Sequence, residues 1–156
     1  IEVFDTPSYF KDIHKYHQII HETDLANNFG IYYKKYKTKL SKYMQTAIAK
    51  GNKHSAKEYA EAIDFKKRSY ESYQEVFEDY HGVLSPSSPG VALKGLKNTG
   101  TAEFNKVWSY LGTPCISLPL LEGENKLPLG VQLIGDRYDD HRFLGVANWL
   151  EKECNN

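Results

Sequence analysis

The chain has 156 residues, 40% of them hydrophobic and 26% charged, an ordinary globular composition with enough chain to bury one core. Lysine plus arginine equals aspartate plus glutamate at 20 each, so no overall field draws the chain to nucleic acid or to an anionic membrane. Two cysteines are too few for a disulfide framework, no run is long and apolar enough to span a bilayer, and no secretory signal precedes the first helix, so the expected compartment is cytoplasmic.

Thr6-Pro7 is a good helix entry, because proline fits the first turn. Phe10, Ile13, His17, Ile20 and Asp24 mark one face of a helix running to about Asn28, and Gly30 is the expected stop. Leu40, Tyr43, Met44, Ala47 and Ile48 repeat with helical spacing, and Gly51 closes that helix. Ser55-Ala-Lys-Glu58 is a capping box that opens a long helix with the apolar stripe Tyr59, Ile63, Tyr70, Val76, Phe77 and Tyr80.

Beyond His81 the composition changes to strand formers, proline and glycine. Val83 to Ser85 reads as a short strand, and Gly90 to Gly100 as a loop with scattered lysines. Cys115 to Leu121 is an apolar run containing Pro119, which has no N–H for a ladder and therefore belongs at a strand end, an edge or a bulge. Glu122 to Lys126 is a polar connection. Leu129 to Ile134 is a second apolar run, broken only by Gly130 and Gln132. Asp139 and Asp140 then cap a helix whose face is Phe143, Leu144, Ala147 and Leu150.

The expectation is a single α/β domain segment over 1–156, helical over 1–81 and strand-rich with a final helix over 82–153. Its three strands share one sheet, packed by the long helix from Ser55 and buried on both faces.

Four groups of residues raise the question of chemistry. Ser85, Ser87 and Ser88 stand between prolines, but a serine nucleophile needs an oriented base, and the nearest candidate, His81, has nothing to orient it. Turn serines bonded to their own backbone are the plainer reading. His14, His17 and His21 share a helical flank, yet there is no HExxH motif and no third ligand placed by spacing, so neither a metal nor a cofactor is expected. Tyr32 to Lys39 interleaves rings and cations as single-strand binders do. The acidic residues elsewhere favour a solvated connection, and nucleic acid is not expected as a partner. Phe104 and Trp108, four residues apart, place two rings on one helical face, with core packing as the competing role.

Gly112-Thr-Pro-Cys-Ile-Ser-Leu-Pro119 followed by Leu127-Pro-Leu-Gly-Val-Gln-Leu-Ile-Gly135 closely resembles the C-terminal signature of the amidase signature family, which includes amidases and glutamyl-tRNA amidotransferase A subunits. That signature is a GxPxxSxP strand, a variable loop, LPxGVQLIG and a helix opened by an acidic pair. Val83-Leu-Ser-Pro-Ser-Ser-Pro89 resembles the family's Pro-x-x-Pro stretch, and Phe104 to Trp108 its aromatic helix. The resemblance implies a mixed sheet flanked by helices and a parent protein that hydrolyses a carboxamide C–N bond.

It also implies that the catalytic serine, the second serine at a cis peptide and the lysine lie in a glycine- and serine-rich region ahead of the portion matched. No catalytic residue is therefore assigned here, and the chain alone is expected to be inactive. Thr101, Glu103, Phe104 and Trp108 become the substrate-pocket candidates. The implied partners are a small amide substrate and either the missing N-terminal catalytic portion or a second copy of the chain. The alternative is a non-catalytic interaction or scaffold module built from an amidase fold. Membership of a nucleic-acid-associated assembly is a weaker third reading.

Overall fold

The computed structural model describes residues 1–154 and divides the chain into a unit Ile1–Ser69 and a second unit beginning at Tyr70. The first unit is helical. It holds α1 (Phe10–Tyr36), a short 3-10 turn (Lys37–Lys39), α2 (Lys42–Gly51) and the first part of α3 (Ala56–Asp79). Helix α1 runs through Gly30, where a stop was expected. A glycine inside a helix costs only about 1 kcal/mol against alanine, and it ends a helix only where the chain turns left-handed. Gly30 does not, and the helix continues to Tyr36.

The buried line of α1 is Phe10, Ile13, Ile19, Glu22 and Ala26, while His17, Ile20 and Asp24 are half-buried beside it. Gly51 explains that line. A Cβ at Gly51 would stand 1.9 Å from the Glu22 carbonyl oxygen and 2.9 Å from Ala26 Cβ, so the end of α2 lies directly against the backbone of α1. The capping box foreseen at Ser55 is present, and Ser41, which the sequence reading did not single out, caps α2. Ser41 Oγ accepts the Met44 N–H at 3.2 Å, and Ser55 Oγ accepts the Glu58 N–H at 3.2 Å while Glu58 Oε2 accepts the Ser55 N–H at 2.8 Å.

The second unit has the α/β character expected from the strand patterns. It continues α3 into β1 (Val83–Pro86), α4 (Glu103–Leu111), β2 (Cys115–Glu122), β3 (Pro128–Ile134) and α5 (Asp140–Cys154). The sheet order is β1-β3-β2, antiparallel throughout, with Val83 and Cys115 both opposite Ile134, and Ser85 and Ser117 both opposite Gln132. Strand period two then puts Val83, Ser85, Cys115, Ser117, Gln132 and Ile134 on one face, and Leu84, Ile116, Leu118, Val131 and Leu133 on the other.

Pro119 is accommodated as its chemistry requires. The register slips between Leu118 and Leu121, a bulge on an edge strand. Burial of β2 on both faces does not occur, because Leu118 alone of that strand is buried. Helix α5 covers the second face through Phe143 and Ala147 packed with Leu133, Ile116 and Val146. Leu144, expected on that helix's inner face, is 56% exposed.

On α3 the stripe is carried by Ala62, Ser69, Tyr73 and Phe77, with Ile63 and Tyr80 exposed. The shift is one step around the helix, since Ile63 adjoins Ala62. Among the described residues no helix is long and apolar enough to cross a membrane.

Candidate functional site

Helix α4 begins at Glu103 and ends where Gly112 turns left-handed (φ 71°), its N–H bonded to the Trp108 carbonyl at 2.7 Å. Trp108 is buried, its ring 5.5 Å from that of Tyr73, which is itself fully buried. Phe104 is half-buried one turn earlier, and Thr101 and Glu103 are exposed. The four pocket candidates thus occupy the approach to α4 and its first two turns, with one ring in the core and the other at the surface.

Gln132 holds this helix start. It is buried, and its Nε2 faces three acceptors: the Phe104 carbonyl at 2.9 Å, the Pro86 carbonyl at 2.9 Å and Ser85 Oγ at 3.3 Å. An amide nitrogen carries two hydrogens, so the three acceptors share them. One side chain from the central strand thereby fastens both β1 and the first turn of α4.

Next to it, Gly130 lets two hydroxyls close over β3. A Cβ there would lie 2.6 Å from Ser117 Oγ and 2.7 Å from Ser87 Oγ, and those oxygens bond each other at 2.6 Å. Ser117 is exposed at the surface and Ser87 is half-buried. Ser85 and Ser88 bond local carbonyls, of Pro86 at 3.2 Å and Gly90 at 2.6 Å, as turn serines do. Gly130 and Gln132 were visible in the sequence as the two breaks in an apolar run. Their separation by two residues was the available signal that both serve one face.

A second cluster lies at the end of β3. Tyr70 donates to Asp136 Oδ1 at 2.5 Å, the Arg137 guanidinium stacks 3.5 Å from the Tyr70 ring centre, and the Arg137 N–H returns to Asp136 at 2.7 Å. Burial, followed by the hydrogen bond to Asp136, pushes the Tyr70 phenol up to about 12, so it remains a proton donor.

The other sequence candidates belong to the first unit. The His17 and His21 rings stack at 5.9 Å, and His21 Nε2 bonds the Tyr43 hydroxyl at 3.1 Å. Among the described residues no group of three or more His, Cys, Asp or Glu side chains could hold a metal ion. Lys37 and Lys39 sit over the Tyr33 and Tyr36 rings at 5.0 and 5.5 Å, local contacts within the connection after α1.

The amidase family model matches residues 5–144, nine-tenths of the chain. The chain belongs to the amidase family. The glutamyl-tRNA(Gln) amidotransferase A subunit of Alkaliphilus metalliredigens (strain QYMF) is 35% identical over 102 residues, covering 61% of this chain and 21% of that protein. A crystal structure of an amidase superposes with a TM-score of 0.82 at 19% identity, over 97% of this chain and 38% of that one. The glutamyl-tRNA(Gln) amidotransferase A subunit from Thermotoga maritima gives 0.58 at 21% identity, over 87% of this chain and 31% of that one. These structural likenesses are of fold. The chain spans about a fifth of the length of the curated relatives it matches.

Proposed function

We propose that this amidase-family chain serves a carboxamide hydrolase, contributing sheet, helices and one wall of the substrate pocket. The observation that carries the reading is the family match over residues 5–144, which takes in α4 and the Gln132 tie that fixes its first turn. In this reading Thr101, Glu103, Phe104 and Trp108 face or support the acyl pocket. The hydroxyls of half-buried Ser87 and exposed Ser117 offer polar contacts on the same sheet face. The acyl transfer itself, through a serine ester to water, uses a serine–cis-serine–lysine region outside this chain, and the substrate is a small amide.

Apolar side chains left exposed in the second unit, Leu84, Leu121, Leu144 and Trp149, support association with that catalytic portion or with a second copy. The two free cysteines suit a reducing cytoplasm.

The test is release of ammonia or amine from a panel of small and aryl amides. Purified chain alone gives none, because nucleophile, proton shuttle and oxyanion donors must be held together. Adding a polypeptide with the serine–serine–lysine region restores turnover, and Phe104→Ala in that mixture changes substrate preference more than it lowers the maximal rate. Turnover by the chain alone that survives stringent repurification would refute the division of labour. An unchanged preference in the Phe104 variant would refute the pocket wall.

A further inference from the structure

The first unit contains a cleft of about 510 Å³ that the amide-hydrolase reading does not use. It lies between α1, which supplies Lys15, Gln18, Ile19 and Glu22, and the end of α2, the turn after it and the start of α3, which supply Lys50, Lys53 and His54, and Glu58 in that order. Its volume is that of a small-molecule site, and Ile19, 8% exposed, gives it an apolar floor.

The charges of this cleft do not cancel. Three ammonium groups face two carboxylates, and both carboxylates are already engaged. Glu22 Oε1 accepts from Gln18 at 2.8 Å and lies 3.7 Å from Lys50, while Glu22 Oε2 meets His54 Nε2 at 2.8 Å. Glu58 Oε2 accepts both the N–H and the hydroxyl of Ser55 at 2.8 Å. Lys15 and Lys53 have no carboxylate within 4.0 Å among the described residues, although Lys15 lies 5.3 Å from the Tyr16 ring centre. His54 is fixed by Glu22 through Nε2, which turns its other ring nitrogen away from that bond. The cleft therefore holds one surplus positive charge, two exposed ammonium groups and an apolar floor extended by lysine stems.

We propose that this cleft binds a small organic monocarboxylate, its anionic head among Lys15, Lys53 and His54 and its apolar body against Ile19. One surplus charge matches a monoanion better than a phosphate dianion, and the floor favours a ligand with hydrocarbon to bury. Lysines act here as point charges for the head group, so specificity comes from charge and size. The proposal does not rest on the amidase reading, since binding to this unit is measured without turnover.

The experiment is an NMR titration of the isotope-labelled chain with benzoate, with benzamide as its uncharged isostere and with inorganic phosphate. Benzoate is expected to give saturable shifts at Gln18, Ile19, Glu22 and His54. Benzamide binds more weakly by about tenfold, the usual weight of a charge-assisted contact. The double variant Lys15→Gln/Lys53→Gln loses benzoate affinity by a similar factor. Both lysines are exposed, and an otherwise unchanged spectrum confirms the fold of the variant. Equal binding of benzamide, tighter binding of phosphate, shifts that never saturate, or an unaffected double variant would each overturn the proposal.

Discussion

Glu22 joins α1 to the end of α2 and the turn that follows it in the helical unit, as Gln132 joins β3 to β1 and α4 in the sheet unit. Each is a buried polar side chain, 5% and 4% exposed, that reaches partners on several elements. Glu22 is an acceptor among donors, gathering Gln18, His54 and Lys50. Gln132 Nε2 is a donor among acceptors, serving two carbonyls and a hydroxyl. A carboxylate suits the first position because its surroundings are cationic, and a neutral amide suits the second because its surroundings are backbone oxygens. One joint therefore titrates and the other does not.

The largest effect breaks the helical joint without touching its charge. Gly51→Ala would force a Cβ to within 1.9 Å of the Glu22 carbonyl oxygen, so α2 must leave α1. Destabilisation of about 3 kcal/mol is expected, at the upper end for overpacking, because the obstacle is backbone. Hydrogen exchange should rise in α1 and α2 together. Exchange left at the wild-type rate would mean that the close approach is not what holds the helices.

The sheet joint comes next. Gln132→Ala leaves the Pro86 and Phe104 carbonyls without their side-chain donor, at a cost of about 2 kcal/mol. Gln132→Glu separates the two chemistries. A carboxylate facing those oxygens has its pKa raised, so the variant should gain stability as pH falls through that pKa and lose it as pH rises. Urea melts of the variant across pH check the sign, and a flat profile would show that α4 is held by other contacts.

Much of this arrangement was legible in sequence, and what was not has a common cause. The helix at Ser55, the strand at Leu129–Ile134 and the displaced ladder at Pro119 follow from local chemistry: a capping hydroxyl, a short apolar run, a missing N–H. Gly30 misled because glycine permits a stop without imposing one. The burial of Glu22 was not foreseen, because an acidic residue on a helix reads as solvent-facing and the partners that let it be buried lie up to 32 residues away. Ile63 lost its inward place to Ala62 for the same reason, since the rotation of a helix is set by what it packs on. At the candidate site the family motif located α4 and β3, but the Gln132 tie to Phe104 spans 28 residues and belongs to no local pattern.

The smallest effect is the most diagnostic. Burial alone would raise the Glu22 carboxyl, yet hydrogen bonds from Gln18 and His54, with the charges of Lys50 and His54, outweigh it and hold the group below its ordinary value. A carboxylate depressed in the folded state favours folding above the unfolded pKa, and that contribution is lost as pH falls through the folded value. The helical unit should therefore weaken below about pH 4.5, where an unfolded glutamate begins to bind its proton. Glu22→Gln keeps the shape and can still accept from His54, but it removes the charge. Lys50 is half-exposed and its 3.7 Å contact contributes little, so the loss at neutral pH should be about 1 kcal/mol. The variant should also show a shallower fall in α1–α2 exchange protection between pH 5 and about pH 3, with no change in the sheet unit. An equally steep fall in the variant would move the acid sensitivity to another carboxylate and leave the contrast between the two joints without its physical basis.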